Sequence, residues 1–266
     1  MTPEPWRADE EPPLTARSVV ASTLLGVRPP RMATRHLVRA CGLFGIADGT
    51  ARVAISRMVR AGELVADDGG YALTGALLDR SARQDLSAEA VTRPWAAGDG
   101  WTMAIVVGDG RSAIERATLR RATTALRLTE RREGVWLRPD NLTPGTLPDA
   151  EAVVAAQCQR FTAVPADDPA TLAAELWDLD GWSAPAGRLL AALDRTGPDL
   201  EATRPAALPE AFVLSAAVLR HLQSDPLLPP VLLPEGWPGP ELRTAHTRWR
   251  GAFDRTWRAW ATSPPP

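Results

Sequence analysis

Apolar positions change period twice in the first seventy or so residues of the chain. Between Leu14 and Leu25, Ala16, Val20 and Leu24 recur at four-residue intervals, which predicts a helix stopped by Gly26 and the Pro29-Pro30 pair. Arg31 to Cys41 predicts a second helix with Arg31, Arg35 and Arg39 on one side. Gly42 and Gly45 punctuate a tight turn, after which Asp48 or Thr50 is placed to cap a third helix. In "GTARVAISRMVRAGELV", Ala51, Ala54, Ile55, Met58, Val59 and Gly62 fall at the i, i+3, i+4, i+7 spacing of one buried face. The period then drops to two: "ELVADDGGYALT" reads as strands Leu64 to Ala66 and Tyr71 to Leu73 around an Asp68-Gly69 turn. Three helices followed by a hairpin predict a winged helix-turn-helix, assigned to residues 14–92.

The middle of the chain reads differently. "WTMAIVVGDGRSAIERATLRRA" is a strand, a Gly-rich loop and a helix, followed by "GVWLRPDNL" and an apolar run from Val153 to Val164. Gly108, Gly110 and Ala113 satisfy the relaxed G-x-G-x-x-G/A pattern, with Glu130 about twenty residues on as a ribose acceptor. That pattern needs further βα units, which the sequence does not supply. A ferredoxin-like βαββαβ domain over 93–166 accounts for the same elements with fewer strands. Residues 167–266 read mainly as helix, and Trp249, Phe253, Trp257 and Trp260 form a stripe at i, i+4, i+8 and i+11 near its end. Such a stripe is core or, on a terminal helix, a dimer contact. The start, "MTPEPWRADEEPP", is Pro-rich and acidic and reads as a disordered tail over residues 1–13. The expected class is α+β, with an N-terminal winged helix, a central ferredoxin-like domain and a helical C-terminal domain.

Charge adds what the apolar pattern omits. The 266 residues carry a formal net charge of -2, yet from Leu14 to Val65 eight arginines face only Asp48 and Glu63. The chain has no lysine, so arginine is its general cation and each cluster of it is weaker testimony. On the third helix, Arg52, Val53, Ser56, Arg57 and Arg60 lie opposite the apolar face. Cations without acids there suit a polyanion, and the bland alternative is a solvated helix in a scaffold that binds protein. In a winged helix this face enters the major groove, where Arg reads guanine and Ser56 or Thr50 adds adaptable hydrogen bonds. Arg35 and Arg39, on the second helix, are then placed for phosphates.

Catalytic and redox signals are thin. His36, His221 and His246 are isolated, and no G-x-S-x-G, H-E-x-x-H or P-loop occurs. Asp109, between two glycines, is a turn former before it is a metal ligand. Cys41 and Cys158 stand far apart with no ligand pattern, which points to a reduced, cytoplasmic protein with no metal or cofactor. The longest apolar run, near "SVVASTLLGV", falls short of the roughly 20 residues needed to span a bilayer.

"FGIADGTARVAISRMVRAGEL", "YALT", "GVWLRPDNL", "LWDLDGW" and "SDPLLPPVLLPEGWPG" together resemble the PaaX family of bacterial transcriptional repressors, in order from about Leu14 to Trp260. The resemblance implies a homodimeric repressor of aromatic-acid catabolic genes that binds an inverted-repeat operator. It also implies release by an aryl-CoA thioester, typically phenylacetyl-CoA, and no enzymatic activity. For that effector, Trp101, Trp136 and Arg111 are the expected contacts for the aromatic groups and phosphates. The alternative reading is a nucleotide- or CoA-thioester-dependent enzyme with an accessory basic domain. The chain departs from the family at the hairpin tip, where Asp67 and Asp68 would repel a phosphate backbone.

Overall fold

The computed structural model describes residues 5–96, 98–108 and 110–263, with the side chains of Ala82 and Leu86 excepted. The first four residues of the expected tail, and Asp109 with its expected turn role, lie outside the described residues. The chain divides into two compact units: residues 1–88 with 184–223 and 238–266, and residues 89–183 with 224–237. The three consecutive domains expected from sequence differ from this division chiefly in the last. Residues 167–183 and 224–237 join the central unit, and the rest of 167–266 joins the N-terminal one. A chain that returns twice to the first unit and once to the second leaves no linear boundary to read.

In the first unit, α1 (Ala16–Leu25) opens with a reciprocal capping box between Thr15 and Ser18. β1 (Arg31–Ala33), α2 (Thr34–Gly42), α3 (Asp48–Arg60), β2 (Leu64–Asp67), β3 (Gly70–Leu73) and α4 (Gly75–Glu89) follow. The hairpin turn is Asp68-Gly69, with φ of 20° and 79°, a conformation that Asp-Gly tolerates and most pairs do not. β1 is the difference from expectation: residues 31 to 33, read from sequence as the start of the second helix, are extended and pair antiparallel with β3. The three-stranded sheet has the order β1-β3-β2. A Cβ at Gly70 would meet the Met32 carbonyl oxygen at 2.1 Å, so only glycine lets the two strands approach this closely. Val20, Leu24, Leu37, Cys41, Ala51, Ile55, Met58, Leu64 and Leu73 are buried between these elements. Within the stretch expected to be a tail, Trp6 is buried and donates to the Glu11 carboxylate (3.2 Å), beside a short 3-10 turn at Ala8–Glu10.

The second unit is built on β4 (Trp101–Val106), α5 (Ala113–Ala125), β5 (Thr129–Arg132), β6 (Val135–Pro139), α6 (Pro148–Gln157), β7 (Cys158–Ala163) and α7 (Pro169–Leu176). The sheet order is β5-β6-β4-β7, with every neighbouring pair antiparallel. Gly108 and Gly110 do form the loop between β4 and α5, at φ of 85° and 73°. Glu130 accepts instead from the Gly134 amide across the β5–β6 turn (2.9 Å), and a parallel βαβ unit of the dinucleotide-binding kind is not formed by these pairs.

α8 (Leu179–Glu201) gives its first turn to the second unit and the remainder to the first, where α9 (Leu208–Leu222) and α10 (Gly239–Thr262) join it. The aromatic stripe of α10 is intramolecular core: Trp249 and Phe253 are buried, ring centroids follow one another at 5.7, 5.7 and 5.2 Å from Trp249 to Trp260, and Trp249 Nε1 donates to Thr196 Oγ1 (2.9 Å). Both cysteines are buried as free thiols, and burial pushes the Cys41 thiol up to about 11 and that of Cys158 upward as well.

Candidate nucleic-acid interface

α3 is held from within and bare outside. Ala51, Ile55 and Met58 anchor it in the core. Its N-cap is Ala47, with no side-chain cap, so Asp48 sits one position further in than expected and acts through the helix dipole instead. The C-terminal end closes in a Schellman motif: Gly62, at φ 69°, donates to Val59 O (3.0 Å), and Glu63 N donates to Met58 O (2.9 Å). Val59 and Gly62, expected on the buried face, are exposed, because the motif turns the chain away from the core there.

The outer stripe is as the spacing predicts. Thr50, Arg52, Val53, Ser56, Arg57 and Arg60 are all exposed, and Val53 is 51% accessible. Among the described residues, no hydrogen bond or ion pair engages Arg52, Arg57 or Arg60. The nearby acid is already committed, since Arg17 grips Glu63 through both Nε (3.0 Å) and Nη2. That bidentate pair ties α1 to the start of β2 and raises the pKa of Arg17. The result is three exposed guanidiniums on one face, none of them paired among the described residues.

The second helix differs from expectation. Arg31 lies on β1 rather than α2, 3.5 Å from Asp67 at the hairpin tip. Arg35 is exposed and donates to His36 Nε2 (3.3 Å), and burial together with Arg35 and Arg39 lowers the pKa of His36. Arg39, expected at a phosphate, is occupied within the chain. Its guanidinium lies 4.6 Å from the Trp260 ring centroid and donates to Ala261 O (3.0 Å), Ser263 O (2.6 Å) and Ser263 Oγ (3.0 Å). The C-terminal turn of α10 leaves carbonyls that a cation caps, which spacing along α2 cannot reveal.

The three expected effector contacts do not come together. Trp101 is buried on one face of the central sheet with Leu137 and Met103, its ring 6.3 Å from that of Trp177. Trp136 packs on the opposite face with Ala104, Val106 and Leu119. Alternation along β4 and β6 forces this, because Ala104 pairs with Trp136 whereas Trp101 pairs with Pro139. Arg111 reaches Gln157 at 3.5 Å. No group of three His, Cys, Asp or Glu side chains among the described residues is arranged to hold a metal ion.

Three of the stretches that carry the family resemblance, "GVWLRPDNL", "LWDLDGW" and most of "SDPLLPPVLLPEGWPG", converge in the second unit. Trp182 stacks on Trp237 at 4.5 Å and donates to Ser224 Oγ (3.2 Å). Arg138, buried to 3% exposure, donates to Leu126 O (2.9 Å), Pro139 O (3.0 Å), Asn141 Oδ1 (2.5 Å) and Leu227 O (3.4 Å). Asn141 Nδ2 donates to the same Leu227 carbonyl (2.9 Å). Burial pushes the Arg138 pKa down to about 9, so it remains a cation at neutral pH.

Comparison with known proteins fits this geometry. Residues 15–77 match the model described as PaaX-like protein, and residues 177–262 match that of the PaaX-like protein C-terminal domain. The chain is 42% identical to a solved structure, the uncharacterized protein Rv0674 from Mycobacterium tuberculosis, over 92% of this chain and 98% of that one, with a TM-score of 0.69. No curated protein matches significantly. The matched segments take in the helices and sheet around α3 as well as nearly all of "LWDLDGW" and the whole of "SDPLLPPVLLPEGWPG", and the chain belongs to the PaaX-like family, a family of transcriptional regulators.

Proposed function

We propose that the chain is a sequence-specific DNA-binding repressor in which α3 is the recognition helix of a winged helix-turn-helix. The observation that carries this reading is the exposed stripe Arg52, Ser56, Arg57 and Arg60, whose arginines make no ion pair among the described residues and which is anchored by Ala51, Ile55 and Met58 behind it. α1, α2, α3 and the three-stranded sheet supply the helices and wing of that arrangement. The βαββαβ succession with order β5-β6-β4-β7 supports a ferredoxin-like middle. A single helix reads only a few base pairs, so two copies bind an inverted repeat with half-sites about 10 base pairs apart, or a multiple of that. The two isolated cysteines add a cytoplasmic location, and the family resemblance adds no enzymatic activity, a catabolic target operon and release by an acyl-CoA thioester such as phenylacetyl-CoA.

Titration of fluorescent duplexes carrying the DNA upstream of its own gene tests this. Saturable binding that survives excess unrelated DNA, at a stoichiometry of two chains per site, is the expected result. Equal affinity for every duplex would remove the sequence-specific reading.

A further inference from the structure

Beyond that reading, the first unit contains a cavity of about 250 Å³ walled by α1, α4, α9 and α10 and by residues 11–13. Its apolar lining includes Leu25, Leu77, Phe212, Leu219, Phe253 and Trp257. Four guanidiniums also line it, those of Arg17, Arg80, Arg220 and Arg250, against two carboxylates, Glu11 and Asp254.

Three of these arginines are already satisfied. Arg17 holds Glu63, Arg220 Nη1 holds Glu11 (2.7 Å), and Arg250 holds Asp254 (2.8 Å) while also bonding the Gly26 carbonyl at the end of α1. Arg80 differs: no hydrogen bond or ion pair engages it among the described residues. Partial burial, and then the like charges of Arg220, Arg83 and Arg17, lower its pKa. A guanidinium in that position gains more from an incoming anion than a freely solvated one does, because the anion relieves both the desolvation and the repulsion.

We infer that this cavity binds a small carboxylic acid with an apolar body, its carboxylate on Arg80 and its hydrocarbon against Leu77, Phe212 and Trp257. Size sets the class. The volume falls below the roughly 300–1,000 Å³ of sites for drug-sized ligands, which suits an acid of about ten non-hydrogen atoms better than a whole coenzyme A thioester. The walls also make the site consequential. α1 packs on α2 and α3, and α9 packs on α10, so an occupant touches both the helical support of the candidate DNA-reading helix and the C-terminal pair.

Calorimetric titration of the full chain in the absence of DNA decides this, with octanoate, octan-1-ol and octanoyl-CoA as probes. Octanoate should bind one per chain below about 1 mM, with octan-1-ol and octanoyl-CoA at least about tenfold weaker. Arg80→Gln, at an exposed side chain, should weaken octanoate about tenfold and leave octan-1-ol unchanged. Ala216→Phe, which fills the cavity from α9, should abolish binding of both, with the far-UV spectrum checked for an intact fold. Octanoate that fails to bind, octanoate and octan-1-ol of equal affinity, indifference to Arg80→Gln, or preference for the thioester would each overturn the assignment. DNA takes no part in these titrations, so their failure leaves the repressor reading untouched.

Discussion

Arginine is employed in opposite ways in the two units. On α3, Arg52, Arg57 and Arg60 stand in water with no partner among the described residues, while in β6 Arg138 is buried to 3% exposure and bonded to three carbonyls and an amide oxygen. The chain uses no lysine, so residue type alone cannot separate the two roles. What separates them is where the donors go. A guanidinium whose hydrogen bonds are all made within the chain is a structural cross-link, and one whose donors are all unspent is available to a ligand.

The largest expected effect lies on the exposed side of that contrast. Arg52→Ala with Arg57→Ala should cost operator binding about 4 kcal/mol, the sum of two base-edge contacts of about 1–3 kcal/mol each. Thermal stability should not change, since neither side chain is bonded among the described residues. Fluorescence anisotropy at fixed salt reads the first, and a melting curve the second. If the double variant binds as tightly as the parent, α3 is a solvated helix and the contrast with Arg138 loses its functional half.

The buried side answers with stability instead. Arg138→Met should destabilise the second unit by about 3 kcal/mol, because the Leu126 carbonyl and the buried Asn141 Oδ1 lose the Arg138 donor, while the Pro139 and Leu227 carbonyls keep only the donors that Asn141 gives them. Urea titration followed by tryptophan fluorescence would show it through Trp182, Trp237 and their neighbours. Operator affinity of the folded fraction should be unaffected. A substitution that lowers affinity without lowering stability would place Arg138 with the α3 arginines.

Much of α3 was legible because its period is local. Ala51, Ile55 and Met58 fell on the buried face and Arg52, Ser56 and Arg57 on the exposed one from spacing alone. The hairpin was legible for a similar reason, since Asp68-Gly69 suits a tight turn with positive φ. Features made by distant partners were not. β1 is three residues long and has no pattern of its own; it exists because Gly70 lets β3 come close. Arg39 carries the same spacing as Arg35, and only the end of α10, more than two hundred residues on, distinguishes them. Trp101 and Trp136 sit 35 positions apart, one at the start of β4 and the other in β6, and strand register rather than sequence distance puts them on opposite faces. The family stretches were recognisable as words before their physical role was visible: "GVWLRPDNL" and "SDPLLPPVLLPEGWPG" meet through Arg138, Asn141 and Leu227.

A smaller effect comes from the aromatic core of the first unit. His246 is buried, bonds Ser215 Oγ at 3.4 Å and stacks on Trp249, and burial followed by the charge of Arg250 pushes its pKa down to about 4. The unfolded chain takes up this proton near 6.5, the folded chain only near 4, so the unfolded state binds more protons in between and stability falls as the pH drops. Between pH 7 and pH 5 the loss should be about 2 kcal/mol. Denaturant titrations at the two pH values measure it, and His246→Asn should flatten the difference. A stability independent of pH over this range would mean that His246 takes up its proton at the same pH in the folded and the unfolded chain.

The smallest effect separates the two arginines of α2. Arg35 is exposed with only a 3.3 Å bond to a neighbouring imidazole, so Arg35→Ala should weaken all DNA sequences alike by about 1 kcal/mol and reduce the salt slope by about one. Arg39 has already given its donors to Ala261 and Ser263 and its face to Trp260. Arg39→Ala should therefore leave the salt slope unchanged and loosen the C-terminal turn of α10, at a cost of about 1 kcal/mol to stability. Hydrogen exchange at the last amides of α10 and operator titration across a salt series read the two quantities separately. A reduced salt slope in Arg39→Ala with unaltered exchange would mean that the guanidinium leaves Trp260 for phosphate when DNA is present, and the rule that spent donors mark structural arginines would fail at this position.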